Sequence, residues 1–390
     1  MCKRPVVYVK FSRFKRTGQK MKSAMEFVKK NTVFVIAVIA AVATSFIIPP
    51  DKEYLEYFDF KVLSCLFSVL AVVCALRSMR FFYSTAQKIV KKFDTARRCV
   101  TALVYITFIG SMLIANDMAL ITFLPLGYYV LKTTDKKQYM AFLFIMQNIA
   151  ANLGGMLTPF GNPQNLYLYT KFHIPTGEFT LIMLAPFVLS VILITVCCFI
   201  FVGNEHLRIS AEENPLDPKR VALYLVLFAI SVIMVFRILP YYIGVVIIFV
   251  VLLIENPKAL KKVDYPLLGT FAAFFVFSGN MARIDAVREL FAGLLEKNTL
   301  LFSIFSCQII SNVPSAILLS QFTDNYRDLL LGVNIGGVGT LISSLASLIT
   351  FREYTKHNPG GGVKYLLKFS AFNFSFLIIL TVFMMLLKRI

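Results

Sequence analysis

The chain has 390 residues, 58% of them hydrophobic and 16% charged, with 40 Lys+Arg against 21 Asp+Glu and a formal net charge of +19. Soluble domains carry roughly 25% charged residues, so this balance excludes an ordinary soluble fold and points to a membrane protein built from spans of about 20 apolar residues. The basic excess fits the positive-inside rule better than a nucleic-acid surface, so the expected surroundings are a lipid bilayer, with no nucleic acid.

The seven cysteines form no spaced Cys-x-x-Cys pair and read as small core residues. His173, His206 and His357 fall in three separate polar segments, so no metal site, no Ser-His-Asp triad and no enzyme is expected. Phosphate-loop, nucleophile-elbow and zinc-protease motifs are also missing, and no cofactor is expected beyond Na+ or H+ as a coupling ion. The tail from Met1 to Lys30 lacks the layout of a removable signal peptide and reads as a polybasic anchor before a retained first span.

In chain order, apolar runs occur near 33–49, 62–76, 99–131, 139–170, 180–202, 221–238, 241–254, 265–280, 299–322, 329–351 and 365–387. The segment from Arg77 to Arg98 mixes basic residues with Phe81, Phe82, Tyr83, Ile89, Val90 and Phe93, which predicts an interfacial helix. The runs at 99–131, 139–170, 299–322 and 329–351 are interrupted by polar residues, Gly or Pro. Irregular backbone at membrane depth survives only where protein or a water-filled cavity satisfies it.

With the tail inside, and the runs at 99–131 and 299–322 taken as re-entrant hairpins, the inside segments collect most of the basic residues. These run from Lys3 to Lys30, Arg77 to Arg98, Lys132 to Lys137 and Lys258 to Lys262, with Arg208, Lys219, Arg220, Arg352, Lys356 and Lys364 besides. The outside loops keep only scattered ones such as Lys52, Lys171, Arg283 and Arg327. This predicts an integral plasma (inner) membrane protein with a cytoplasmic N-terminus. Lys61 and Arg237 lie near span ends and are expected to snorkel to the headgroups.

The pattern repeats. Asp59-Phe60-Lys61-Val62-Leu63 and Asp264-Tyr265-Pro266-Leu267-Leu268 each open a run that leads to a polar break, Ala115-Asn116-Asp117 in one half and Ser311-Asn312-Val313 in the other. Each is followed by a second break, Asn152-Leu153-Gly154-Gly155 and Asn334-Ile335-Gly336-Gly337. The predicted fold is an all-α polytopic membrane protein with two inverted-topology repeats, each holding a re-entrant helical hairpin and a broken transmembrane helix. Its parts are a basic cytoplasmic tail and first transmembrane helix at 1–57, repeat I at 58–202, a linker with connecting transmembrane helices at 203–262, and repeat II at 263–390.

The breaks carry the chemistry. Asn116 or Asp117 is a natural N-cap for the limb that follows, as is Ser311 or Asn312 before Pro314. Gly161-Asn162-Pro163-Gln164-Asn165 restarts a helix by the same grammar, while Asn334 to Ser347 offers Thr340, Ser343, Ser344 and Ser347 without a proline. Restarted helices aim free N–H groups and a positive dipole end at an anion, and free carbonyls and amide oxygens suit Na+. The candidate substrate residues are therefore Asn116, Asn162, Pro163, Asn165, Ser311, Asn312, Thr340, Ser343 and Ser344. The candidate coupling-ion residues are Asn116, Asp117, Asn152, Gly155, Gly161, Asn312, Asn334 and Gly337. Asp117 has three readings: a protonatable coupling group, a Na+ ligand, or a carboxylate that only caps its helix.

At Asn116-Asp117-Met118-Ala119-Leu120-Ile121-Thr122, at Asn152-Leu153-Gly154-Gly155 through Gly161-Asn162-Pro163-Gln164-Asn165, and at Ser311-Asn312-Val313-Pro314, the sequence resembles the ion transporter superfamily. That clan holds divalent anion:sodium symporters, citrate transporters, arsenite permeases and NhaD-type sodium/proton antiporters. The resemblance runs from about Asp59 to the C-terminus. It implies a scaffold domain, a mobile transport domain bearing both hairpins, a homodimer and elevator-like alternating access. It also implies Na+ and substrate carboxylate bound at the hairpin tips, here Asn116 with Asp117 and Ser311 with Asn312. Neither tip carries the full Ser-Asn-Thr of the symporter branch, and Asn-Asp at the first is closer to the arsenite and sodium/proton branches. The expected activity is secondary transport of a small anion, carboxylate or inorganic oxyanion, coupled to Na+ or H+. The alternative is a Na+/H+ antiporter that uses Asp117 with no anion substrate.

Overall fold

A computed structural model describes Met25, Phe27, Val28 and residues 31–207 and 216–387. Most of the basic tail expected to anchor the N-terminus lies outside the described residues. The described residues are helical throughout, with one isolated β-bridge between Thr95 and His206. In chain order the helices are α1 (Thr32–Ser45), α2 (Phe60–Ser78), α3 (Phe81–Val90), α4 (Ala96–Ile114), α5 (Asn116–Thr133) and α6 (Met140–Gly154). They continue with α7 (Pro163–Lys171), α8 (Thr176–Phe201), α9 (Pro218–Val235), α10 (Tyr241–Glu255), α11 (Pro257–Leu260) and α12 (Tyr265–Ala282). The last are α13 (Asp285–Ile310), α14 (Asn312–Leu319), α15 (Tyr326–Ile335), α16 (Leu345–His357) and α17 (Gly362–Leu387).

The chain forms two compact units. One comprises the residues up to Phe58 together with 264–280, and so contains α1 and nearly all of α12. Within it Phe58 meets Phe275 edge-to-face at 6.5 Å, and Asn280 donates from Nδ2 to Thr44 Oγ1 at 3.2 Å. Polar pairs of this kind hold apolar helices together where burial of side chains against lipid gives no preference.

The other unit comprises 59–263 and 281–390 and carries every residue singled out at the breaks. At its centre α4, α5 and α6 pack together, as do α13, α14 and α15. The segments after the second breaks cross over, because α7 packs on α14 and α15 while α16 packs on α5 and α6. The two halves of the sequence are thus interleaved rather than side by side.

Around them α8, α9, α10 and α17 turn large apolar side chains outward, with Leu181, Ile254 and Leu367 exposed by 70%, 73% and 69%. Such a continuous apolar exterior suits lipid and not water. Eight helical stretches among the described residues are long and apolar enough to cross a membrane, namely α2 with the 3-10 turn before it, α4, α6, α8, α9, α12, α13 and α17. α3 is the short helix expected between the runs at 62–76 and 99–131, and it buries Ser84, Ala86, Gln87 and Val90 while exposing Lys88 and Ile89.

Asp59 and Asp264, expected to open the two repeats, are both helix caps. Asp59 Oδ1 accepts from Val62 N at 2.9 Å, and Asp264 Oδ1 accepts from Leu267 N at 3.1 Å. Arg237 departs from its expected snorkelling position. Its guanidinium lies over the Tyr169 ring at 4.2 Å from the centroid, and its Nη2 donates to the Tyr169 carbonyl. The aromatic face and carbonyl supply a local partner that competes with the headgroups.

Candidate functional site

The first breaks of the two halves have one geometry. Ala115 separates α4 from α5 at φ 63° and ψ 149°, and Ser311 separates α13 from α14 at φ 77° and ψ 159°. This region is strained for any residue with a Cβ and persists only where its surroundings fix it. The chain folds back at both points: Ser306 and Ser315, on opposite limbs of the second turn, share a hydrogen bond at 2.9 Å. Across the first turn, a Cβ on Gly110 would meet the Phe123 ring.

Neither tip uses the N-cap expected from sequence. Asn116 and Asn312 are the first helical residues, and each folds its amide oxygen onto the next N–H, Asp117 N and Val313 N, at 2.9 Å. Ser311 occupies the cap position without a side-chain cap; its Oγ instead donates to Ser343 O at 3.3 Å. Asn312 N donates to the same carbonyl at 2.9 Å. The tip is held by a segment far away in sequence, so the local capping rule is overridden. Asp117 sits half-buried in the first turn of α5.

The second breaks follow directly. α6 ends at Gly154 and passes through a 3-10 turn, Gly155–Leu157, before α7 begins at Pro163, whose missing N–H is harmless in a first turn. α15 ends at Ile335, and α16 begins only at Leu345. There Ser344 does the work that proline does in the first half: its Oγ accepts from Ala346 N at 3.1 Å.

Equivalent bolts tie each second break to its own hairpin. Thr158 donates from Oγ1 to Met112 O at 2.8 Å, and Thr340 donates from Oγ1 to Gln308 O at 3.1 Å. Met112 and Gln308 each stand three residues before a tip, and Thr158 and Thr340 each stand six residues after Asn152 or Asn334. Gly154 lies so close to Phe108 O that a Cβ could not fit, and Gly336 lies against Cys307 in the same way. The side chain of Gln308 adds a second clasp, donating to Gly336 O at 2.9 Å and accepting from Thr340 N at 2.9 Å.

Between the breaks runs a buried chain of amides. Asn116 donates from Nδ2 to Asn152 Oδ1 at 3.2 Å, and Asn162 donates to Asn152 O at 3.2 Å. Asn334 Oδ1 accepts from Asn162 and Gln164, each at 3.4 Å, while Asn334 Nδ2 donates to Asn165 Oδ1 at 2.6 Å. Asn165 in turn donates to the carbonyls of Gly155 and Met156, both at 3.2 Å. All five of Asn116, Asn152, Asn162, Asn165 and Asn334 are buried. Gly337 packs beside Asn312 and Asn152, and Gly161 packs against Gly155 and Thr158.

The structure therefore brings Asn116, Asn152, Asn162, Asn165, Asn334, Asn312, Gly155, Gly161 and Gly337 into one neighbourhood, with Pro163 starting α7 beside them. Thr340, Ser343 and Ser344 serve the backbone of the second break. Ser343 Oγ donates to Gly337 O at 3.0 Å and to Thr340 O at 2.8 Å. Among the described residues, Asn162 Oδ1 and Gln164 Oε1 are buried acceptors that receive no hydrogen bond. Such oxygens are costly unless a cation or donor meets them.

Sequence reasoning passed over Gln164 and Gln308, and also the pair Asn148 and Asn373, which joins α6 to α17 at 3.3 Å. Gln308, Asn148 and Asn373 carried one signal, an uncharged amide inside an apolar run, whereas Gln164 lay within the polar break at 161–165. No group of three or more His, Cys, Asp or Glu able to hold a metal occurs among the described residues. His357, expected in a polar loop, instead ends α16, stacks on Tyr128 at 3.5 Å between ring centroids, and pairs with Glu353 at 2.9 Å.

Comparison with known proteins agrees with this architecture. The citrate transporter family matches residues 23–326. An uncharacterized transporter of Methanocaldococcus jannaschii is 32% identical over 301 residues, covering 77% of this chain and 82% of that protein. The inner membrane protein YbiR of Escherichia coli is 26% identical over 327 residues, covering 82% of this chain and 87% of its own. A 46 kDa membrane protein of Mycobacterium leprae is 24% identical over 343 residues, covering 75% and 77%. With most of its length matched and its outer helices clothed for lipid, the chain belongs to the citrate transporter family of membrane transporters.

Proposed function

We propose that this transporter moves a small anion, a carboxylate or inorganic oxyanion, coupled to Na+ or H+, by elevator-like alternating access. The observation that carries the reading is the pair of equivalent tips at Ala115 and Ser311, each followed by an Asn and each bolted to a broken helix. Helix N-termini at α5, α7, α14 and α16 offer N–H groups and positive dipole ends to an anion. The amide oxygens of Asn162 and Gln164, with the carbonyls at the ends of α6 and α15, offer hard oxygen ligands to Na+.

Two short helices support segments that stop within the bilayer, as a re-entrant second hairpin and a broken helix require. α14 has 8 residues and α7 has 9, so at 1.5 Å per residue they are only about 12–14 Å long, against a hydrocarbon core of about 30 Å. Charge asymmetry supports a cytoplasmic N-terminus in a plasma (inner) membrane, and the family resemblance supports a homodimer. Substrate residues on this reading are Asn116, Asn162, Asn165, Ser311 and Asn312, with Thr340, Ser343 and Ser344 shaping the second break. Coupling-ion residues are Asn116, Asp117, Asn152, Gly155, Gly161, Asn312, Asn334 and Gly337.

Asp117, half-buried at a hairpin tip, favours a second reading in which its carboxylate exchanges Na+ for H+ and no anion moves. Purified protein in liposomes separates the two. Uptake of citrate, succinate, sulfate, phosphate or arsenite that requires a Na+ or pH gradient, and is lost in Asn312→Ala, supports anion transport. Na+ movement driven by a pH gradient, independent of every anion and lost in Asp117→Asn, supports the antiporter and removes the first reading.

A further inference from the structure

Outside the amide network, a cavity of about 320 Å³ opens between the end of α2, the start of α3 and one face of α5. Its polar lining comes from Arg77, Arg80, Tyr83 and Thr122, and Phe82 and Pro125 form part of its apolar wall. Its volume lies at the lower end of the range of small-molecule sites.

Arg77 is half-buried in the last turn of α2. Among the described residues it has no carboxylate within ion-pair distance, and its nearest polar contact is Met118 Sδ at 3.7 Å from Nη1. A guanidinium that gives up water without gaining an anion is destabilised, and a cavity beside it gives room for the missing partner. Arg80 stands at φ 58°, a conformation strained for an arginine, and in it begins α3 without any side-chain cap. Both cations and the uncapped start of α3 thus border the same space, and no acidic side chain lines it. Phe82, Tyr83 and Pro125 present apolar surface that a bare inorganic ion would leave unused.

We propose that this cavity is a second anion site, which binds the oxyanion head of an amphipathic molecule on Arg77 and Arg80 and its apolar body against Phe82, Tyr83 and Pro125. A soluble organic carboxylate and an acidic phospholipid share this chemistry. Arg77 also touches Met118, next to Asp117, and Thr122 lies in the same limb of the first hairpin, so an occupant would bear directly on that limb. The site rests on the transport reading only for that consequence; binding itself needs no transport.

The chain contains no tryptophan, so Phe82→Trp places a single fluorescent reporter in the cavity wall. The detergent-purified full chain is titrated with 3-phenylpropionate, with inorganic phosphate, and with mixed micelles containing dioleoylphosphatidylglycerol or dioleoylphosphatidylcholine. A saturable change with phenylpropionate assigns a soluble organic anion, and one confined to phosphatidylglycerol assigns the lipid; either supports the site. Adding Arg77→Gln is expected to weaken the response about tenfold, the scale of one lost charge-assisted hydrogen bond, and Arg77→Lys to retain most of it. Should Arg77→Gln fail to fold, Arg80→Gln at an exposed position is expected to weaken binding in the same direction. No saturable response, an equal response to phosphatidylcholine, phosphate binding as tight as phenylpropionate, or full affinity in both arginine variants overturns the proposal. Asn312→Ala is expected to keep the Trp response while losing coupled uptake, so failure of one site does not mimic failure of the other.

Discussion

Asn334 donates to Asn165 Oδ1 at 2.6 Å, the shortest of the bonds by which it ties the broken helix of the second half to the broken helix of the first. Asn334 also accepts from Asn162 and Gln164, so three amides depend on one side chain. Asn334→Ala strands Gln164 Nε2 and Asn165 Oδ1 in the buried interior, while Asn162 keeps its bond to Asn152 O, at a cost of about 1–3 kcal/mol for each group stranded. A fall in the unfolding midpoint of the purified protein is expected, with loss of any stabilisation by Na+. An unchanged midpoint would show that the amide chain contributes nothing to stability.

Gly154 and Gly293 make a matched pair of tests. A Cβ on Gly154 would collide with the carbonyl oxygen of Phe108, which is backbone and cannot swing aside, while nothing lies within 4 Å of a Cβ on Gly293. Gly154→Ala is expected to lower expression and thermal stability sharply. Gly293→Ala, inside α13, is expected to raise stability by up to about 1 kcal/mol through helix propensity. Thermal unfolding of the two variants side by side checks both directions.

The two tip residues predict different responses to glycine. Relief of a conformation costing about 1–3 kcal/mol, less the extra entropy of glycine, makes Ala115→Gly stabilising by roughly 1 kcal/mol. Ser311→Gly relieves the same conformation but gives up the hydroxyl bond to Ser343 O at 3.3 Å, so its gain is expected to be smaller or nil. Equal gains in the two variants, measured by chemical or thermal unfolding, would contradict this account of the second tip.

In the segment between two candidate spanning helices, Glu205 accepts from Lys136 at 2.6 Å and from the Tyr139 hydroxyl at 3.1 Å. The Lys136 ammonium, aided by Tyr139, holds the Glu205 carboxyl below its ordinary value of 4.5. The neighbouring backbone is pinned by Ala96 N to Glu205 O at 2.8 Å and Leu207 N to Asp94 O at 2.9 Å. Because the folded value is depressed, the stabilisation is complete above the unfolded carboxylate value and fades as pH falls through the lower folded value. Lys136→Met is therefore expected to destabilise this loop near neutral pH and to remove its share of acid sensitivity below about pH 4.5. Hydrogen exchange of residues 203–207 at two pH values reads the effect directly.

Sequence alone determined that the chain is an all-helical membrane protein, where its helices stop, and that the stops occur in two ordered pairs. Those features are local: apolar run length sets a span, and Gly, Pro and Asn at 115–117, 152–163, 311–314 and 334–344 disrupt backbone within a few residues of themselves. Asp59 and Asp264 were likewise legible as helix openings, because a cap bonds to a group three residues away. Tertiary structure decided what each polar residue bonds to. Asn116 and Asn312 looked like caps but turn their oxygens onto the next N–H, and Ser311 reaches Ser343 instead of its own helix. Gln308, Asn148 and Asn373 were legible only as amides in apolar runs, with nothing local to name their partners, and Arg237 turned inward to a ring that no sequence neighbour supplies. Most of these partners lie dozens to hundreds of residues apart. They are chosen by how α7 and α16 cross between the halves, and that packing is a property of the whole chain, which no short window of sequence contains.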